Sequence, residues 1–558
     1  MAAGRGAGGG MSAIRVPVLI VGGGSVGMCL SMELGWRGAR CLLVNERPST
    51  ATHPKGSSIN SRTMEHMRRM GAAPAIRALG LPADHPTDCT YVTRLAEYEL
   101  GRLPMPSPAE KIAHPGPWGE TLLTPEPMHR ANQLYFEAVM RRHAETFAAA
   151  ELRYGWRLTS FTDRGDGVDA EIEEVETGRT GTVACDYLVG CDGGLGMVRR
   201  QLGFTYQGRE STGDRFYDGA MLSIYIRAPR VYDILNMPIA WHYWTINPAG
   251  RVDFITLDGK GDFVLLAEVA PGQAVDDIDV AAIVRNAIGA DIPFEVISAQ
   301  EWLAGLAMVT DGYQKGRVFL AGDSVHLFTP SGGFGFNTGI DDAANLGWKL
   351  AAVTQGWAPP ALLETYEAER RPIGIRNTTV SGQYANKIGA LAFPDFIDEP
   401  GEPGAAARAE LAEELKTFKE EFASLGVILG ARYDGSPLIV GDGTSPPPDR
   451  PTEYIPSACP GGRAPHYWIA DRESLFDRLG PWFTLLRLGP APPATDGFAA
   501  AAETLGVPLD VVNVAETAAL DLYETPLALI RPDGHVAWRG AAVPDDPAGI
   551  LRTAIGGG

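Results

Sequence analysis

Cysteine is scarce and unpatterned in this 558-residue chain: Cys29, Cys41, Cys89, Cys185, Cys191 and Cys459 form no C-x-x-C pair and no Cys/His ligand spacing. A disulfide scaffold and a structural zinc site find no support, and no metal is expected. Positive charge is short as well, with 48 Lys and Arg against 68 Asp and Glu and a net charge of −20. A chain of that sign is repelled by nucleic acid and by anionic lipid, so neither is expected as a partner. Apolar runs stop well short of the ~18 residues that a spanning helix needs, and no signal-peptide stretch opens the sequence. A soluble, cytoplasmic protein is the expectation, with glycine-rich residues 1–13 as a disordered tail.

What is present begins with length: at ~150 residues per domain, the chain holds three to four units. Val16 to Val21 reads as a short, continuously apolar strand. It runs into Gly22-Gly23-Gly24-Ser25-Val26-Gly27, then into a helical stretch and a second apolar strand ending at Glu46. The G-x-G-x-x-G pattern alone is weak, since Gly4, Gly6 and Gly9 match it with no strand before them. The strand before and the helix after give the second match its meaning. Gly22 permits the tight turn, Gly24 lets the backbone approach a pyrophosphate, and Gly27 lets helix and strand pack closely. Ser25 and Val26 bring free N–H groups and the positive end of the helix to the phosphates. Glu46, with Arg47 beside it, stands 19 residues after Gly27, where an acid accepts hydrogen bonds from a ribose diol. A dinucleotide site is expected here.

Three further segments follow in order. Leu188-Val189-Gly190-Cys191-Asp192-Gly193 precedes Val198-Arg199-Arg200; Arg317 to His326 contains Gly322-Asp323; and Pro330-Ser331-Gly332-Gly333-Phe334-Gly335-Phe336-Asn337 leads into a helical pattern near Thr338. Together they resemble the Asp-Gly and Gly-Asp motifs of the single-component (class A) FAD-dependent aromatic hydroxylases, most closely the phenol, 2,4-dichlorophenol and aromatic polyketide hydroxylases. The resemblance implies an α/β fold: a Rossmann-like FAD-binding domain of glutathione-reductase type (14–83, 124–204 and 311–400), an antiparallel-sheet substrate domain (84–123 and 205–310), a helix and connector (401–440) and a C-terminal thioredoxin-like domain (441–558). It implies FAD as cofactor, transiently docked NAD(P)H, O₂, and hydroxylation of a phenolic substrate, such as a secondary metabolite in antibiotic biosynthesis, through a flavin C4a-hydroperoxide. By the same resemblance, Asp323 binds the ribityl chain, and Gly333, Gly335, Phe336 and Asn337 meet the flavin N1/O2 edge. Pro330 lines the face where oxygen reacts, and Gln133, Lys55 and Leu158 complete the cofactor contacts.

The chain departs from the family pattern in three places, and at one of them Gly196 stands near where the family often has serine before Val198-Arg199. Lys55 stands where arginine is common, keeping the charge but losing the bidentate fork. Ser57 stands where phenol hydroxylases carry Asp or His, and a serine alone is no base near neutral pH, so another group must activate the phenol. The strand-rich segment 220–269 offers His242 or Tyr243, of which period-two alternation lets only one face a pocket. Arg62 and Glu65, three apart at a helix start, read as a structural ion pair. The C-terminal region lacks a redox pair, and Asp533-Gly534 between apolar runs signals a hairpin. This region is expected to serve packing within a homo-oligomer, a dimer or larger, and to be dispensable for the chemistry. The alternatives are a Baeyer–Villiger or epoxidising monooxygenase on the same scaffold, a flavin halogenase, and a flavin-binding protein without turnover.

Overall fold

Val18, Leu19 and Ile20 are wholly buried, as a strand covered on both faces requires. They belong to β1 (Ile14–Val21), which leads into α1 (Ser25–Trp36) and β2 (Cys41–Asn45). The computed structural model describes residues 13–113, 120–210, 219–269 and 273–557, so the expected tail lies outside the described residues apart from Ala13. β1 and β2 are parallel neighbours in a sheet of order Gln314–Lys315, Val318–Leu320, Thr180–Gly190, β1, β2, Ala150–Tyr154. Strands Trp156–Asp163 and Val168–Glu174 fold back on Thr180–Gly190 as an antiparallel layer. Leu158 sits in that layer, paired with Ile172. Helix α2 (Gln133–Ala144) packs on α1 and is capped by Asn132, whose Oδ1 accepts from the Leu134 N–H at 2.9 Å.

β3 (His242–Asn247) and β4 (Gly250–Thr256) form a hairpin inside a seven-stranded sheet. The order is Glu295–Leu303, Ala220–Arg227, Asp262–Glu268, β4, β3, Cys89–Val92, Glu99–Leu103. The four strands expected within 220–269 are present, but β3 pairs in parallel with Cys89–Val92, so the sheet is mixed rather than antiparallel throughout. That strand arrives from a distant part of the chain, and no hairpin turn dictates its direction.

The long helices α3 (Gly335–Thr354) and α4 (Ala361–Gly389) follow, with α3 packed against α1. The next segment is helical but broken: Glu402–Leu415, a 3₁₀ turn, then the single turn α5 (Lys419–Phe422). The C-terminal sheet has the order Leu509–Val514, Phe483–Leu488, Leu527–Ile530, Val536–Gly540, and the Asp533-Gly534 turn joins its last two strands with Gly534 at φ +81°. All six cysteines are free thiols.

The C-terminal region is not a detachable appendage: buried ion pairs tie it to the flavin-binding part, which argues against its expected dispensability. Arg463 donates from Nε to the Glu65 carboxylate at 3.0 Å, with both side chains almost completely buried. Arg62 reaches the same carboxylate at 3.1 Å. Burial alone would raise the Glu65 carboxyl, but Arg463 and Arg62 hold it at about 2. Arg531 grips Glu369 of α4 at 2.6 and 2.8 Å, again out of contact with water. Removing such an arginine strands a buried carboxylate, which costs ~3–5 kcal/mol.

A chain ending near Gly430 is therefore expected not to unfold cooperatively in calorimetry, and Arg463→Met to lose ~3–5 kcal/mol. The pH dependence has a definite sign. A carboxyl lowered from its usual ~4.3 contributes stability that is complete above that value. For Glu65 this contribution is lost as pH falls through about 2. The stabilities of the parent and Arg463→Met should thus converge in acid. A pH-independent gap would contradict the pairing.

Candidate active site

The glycine turn between β1 and α1 is shaped by close contacts. Gly22 has φ +111°, and a Cβ there would stand 2.2 Å from the Cys191 carbonyl oxygen. At Gly27 a Cβ would stand 1.9 Å from the Gly22 carbonyl oxygen, so only glycine lets the helix sit this close to the strand. Gly24 differs, because nothing lies within 4 Å of a Cβ built on it. The backbone is bare at the point where a pyrophosphate would approach the start of α1. Val26 packs beneath Gly322, and Glu46 and Arg47 are exposed just past the end of β2. Two residues not anticipated from the sequence brace the turn. Asn45 Oδ1 accepts from the Gly23 N–H at 2.9 Å, and Glu137 accepts from Ser25 Oγ at 2.7 Å. Gln133 connects this turn to the interior, accepting from the Gly56 N–H at 3.0 Å and donating to Ser25 Oγ at 3.1 Å.

A cavity of about 550 Å³ lies beyond it. Lys55, Gln133, Asp323 and Pro330 line one side, together with Gly333, Gly335 and Phe336. The opposite wall is the seven-stranded sheet, through Trp241, His242, Trp244 and Asp253. Glu421 and Phe422 of α5 also line it, so the segment expected to be a mere connector supplies part of the chamber. Gly332 (φ +80°) and Gly333 (φ +64°) take the left-handed conformation that turns the loop, and the Gly332 N–H donates to Glu421 Oε1 at 3.0 Å. α3 begins at Gly335, earlier than the expected start near Thr338, because the Thr338 N–H already closes on the Phe334 carbonyl at 2.8 Å. The first N–H groups of the helix, on Gly335, Phe336 and Asn337, therefore have no intrahelical partner. The Asn337 side chain is fully engaged, accepting from the Asn60 N–H and Thr63 Oγ1 and donating to the Ser58 and Gly333 carbonyls. Only its backbone is left for a ligand.

His242 lines the cavity with Nε2 bonded to the Asp253 carboxylate. Its Nδ1 is buried without a partner. Tyr243, the other candidate, lies on the far face of the sheet. It is fully buried in the core, and its hydroxyl accepts from the Ala240 N–H at 2.8 Å, so it is withdrawn as a catalytic residue. The period-two pleat sends neighbouring side chains to opposite faces, and the hydrophobic face claims the tyrosine. Ser57 Oγ accepts from Asn132 Nδ2 at 2.8 Å, a structural role. Leu158 is not among the residues lining the cavity. Burial raises the Glu421 carboxyl and lowers the His53 imidazole, whose ring nitrogens meet Ser298 and Ser223 at 2.7 and 2.9 Å. Asp253, Glu421 and Arg130 were not singled out from the sequence. An acid inside the apolar run Val252-Asp253-Phe254-Ile255 was the one available signal. Among the described residues no cluster could hold a metal ion, and no helix is long and apolar enough to cross a membrane.

These residues fit a flavin dinucleotide: a bare glycine turn at a helix start, an acid past the second strand, an exposed Asp323 and a second helix start at Gly335. Two substitutions separate this from a purely structural turn. Gly24→Ala places its methyl in open space, so stability should stay within ~1 kcal/mol of the parent while FAD affinity falls at least about tenfold, since the pyrophosphate needs that surface. Gly27→Ala should instead unfold at markedly lower temperature. Full FAD occupancy in a stable Gly24→Ala protein, measured by flavin absorbance after gel filtration, would refute the assignment.

Comparison with known proteins agrees. The chain matches the FAD binding domain family over residues 15–381 and the aromatic-ring hydroxylase C-terminal family over residues 457–556. It is 33% identical to the tetracenomycin B2 monooxygenase-dioxygenase of Streptomyces olivaceus, over 97% of this chain and 98% of that protein. It is 32% identical to the 4-methyl-5-nitrocatechol 5-monooxygenase of a Burkholderia species, over 97% of both. Among solved structures, RebC with bound 7-carboxy-K252c superposes with a TM-score of 0.88 at 36% identity, covering 98% of this chain and all of that one. From the glycine turn to the C-terminal sheet, this chain belongs to the FAD-dependent aromatic-ring hydroxylases, the single-component flavin monooxygenases of class A.

Proposed function

We propose that the enzyme hydroxylates a phenol-type ring with NAD(P)H and O₂, and that His242, paired with Asp253, takes the proton from the ring hydroxyl. The observation that carries this reading is the state of His242: Nε2 is committed to a carboxylate, while Nδ1 has no protein partner inside the cavity wall. With the Nε2 proton directed to Asp253, the Nδ1 lone pair is left free to accept a proton. Asp253 then stabilises the imidazolium that forms and fixes the ring against rotation. Deprotonation makes the ring electron-rich at the carbon that is oxygenated. A histidine on the sheet thus takes the part that Ser57 cannot fill.

Bound FAD would supply the electron transfer from NAD(P)H and the activation of oxygen. In this reading Glu46 holds the adenosine ribose, the start of α1 the pyrophosphate, and Asp323 the ribityl chain. The N–H groups of Gly335, Phe336 and Asn337 meet the pyrimidine edge of the ring, where the positive helix end favours the charge of reduced flavin. Trp241, Trp244 and Phe422 give the chamber apolar walls that exclude water. Its size falls within the range of small-molecule sites. Relatives and neighbours named for tetracenomycin and for aklavinone support a polycyclic aromatic substrate, as in antibiotic biosynthesis. The β-α-β-α-β-β-α order after residue 480 supports a thioredoxin-like C-terminal domain without redox cysteines.

His242→Gln should keep FAD and lower the rate of hydroxylation by ~10²-fold, the usual worth of a general base. The deficit should shrink along a series of phenols with increasingly acidic hydroxyls, because these need less help to ionise. Product formation by mass spectrometry across that series tests the role; a loss independent of phenol acidity would overturn it.

A further inference from the structure

Arg130 is a second buried group in the chamber that the hydroxylation chemistry does not use. It sits on the short ladder in which Ser58–Ile59 pairs with His129–Arg130, and it is 4% exposed. Its guanidinium carbon lies 3.7 Å from the centroid of the Trp241 ring, and Nη1 donates to Ser58 Oγ. Nε is buried with no partner, and no carboxylate among the described residues pairs with the group. Glu120 acts on it through space without forming an ion pair, and accepts from the Met128 N–H at 3.2 Å. Buried Lys111 adds positive charge nearby instead. Burial lowers the Arg130 guanidinium to about 10, so it stays cationic at neutral pH.

A buried cation without a counter-ion is expensive, and other fully buried arginines of this chain show how it is normally resolved: Arg370, Arg463 and Arg531 each grip a carboxylate. Arg130 instead lines the cavity, its guanidinium carbon over the ring of a tryptophan that also lines it. We propose that Arg130 is the recognition group for a carboxylate carried by the aromatic substrate, so that the ring system spans the chamber with its acid group at the Ser58–Trp241 corner. The planar fork suits a carboxylate, and the Trp241 face keeps it in plane. The missing counter-ion is then the substrate itself. This rests on the cavity being the substrate chamber of the hydroxylase.

The test is binding of a naphthoate and an anthraquinone carboxylate to the FAD-loaded protein, against the matching carboxamides, read by flavin absorbance perturbation and by calorimetry. The carboxylates should bind at least about tenfold more tightly than the amides, as expected for a desolvated charge pair. Arg130→Met should erase that preference while leaving amide affinity, FAD content and flavin potential unchanged, and Arg130→Lys should retain part of it. Equal binding of acids and amides by the parent protein would overturn the proposal while sparing the chamber; this comparison needs no variant. Absence of any aromatic binding would overturn the chamber reading and the proposal with it. A flavin potential that shifts in Arg130→Met with the carboxylate preference intact would place the guanidinium against the flavin and also refute it.

Discussion

Four polar side chains in a row on an otherwise buried helix hold the centre of the molecule. Along α3, Asp341 is bound by Arg370 at 2.6 Å and His66 at 2.9 Å, and Asp342 by Arg370 at 2.8 Å and His326 at 2.7 Å. Asn345 and Lys349 then reach Glu369 at 2.8 and 2.7 Å. Burial would raise the Asp341 and Glu369 carboxyls, yet Arg370 and Arg531 keep them ionised. Each partner is useful at one rotation and one height of the helix only, because an isolated charge in this interior costs more than any contact it could make elsewhere. Sliding α3 by a turn would unpair the whole row. The N–H groups at its first turn are thereby fixed relative to the cavity, and a rigid platform at the cavity wall follows from charges far from it.

The chamber gathers short pieces of chain onto that platform. Ser58, His242, the 330–335 loop and Glu421 meet at one cavity although they span more than 360 positions of the chain. The loop could not turn there without left-handed backbone at Gly332 and Gly333, and Glu421 satisfies the Gly332 N–H that the turn exposes. Burial against this wall raises the Glu421 carboxyl.

The elements with local causes were legible in the sequence. The apolar strand, the Gly22–Gly27 turn and the helix after it are specified by neighbours within a few dozen residues, and so is the Asp533-Gly534 hairpin. The residues lining the cavity were less so. His242 and Tyr243 differ only in which face the sheet buries, and that depends on the packing of Tyr243 against strands drawn from elsewhere. Asp253, Glu421 and Arg130 carry no local pattern at all; each acquires its role from its surroundings in the folded chamber. The role of the C-terminal sheet is hidden for the same reason. The Pro- and Gly-rich stretch 441–451 reads as a linker until the arginines beyond it are seen to neutralise acids of the flavin-binding part.

The spans of those ion pairs have a consequence for how the chain is made. Glu65 waits for Arg463, 398 positions later, and Glu369 for Arg531, 162 positions later. On a ribosome adding ~5–20 residues each second, Glu65 and Glu369 are translated well before these arginines, with only Arg62 and Lys349 already made to pair with them. Until the arginines arrive, each acid keeps part of its hydration. A polypeptide stalled before Arg531 lacks the guanidinium that neutralises Glu369, on the helix packed against α3.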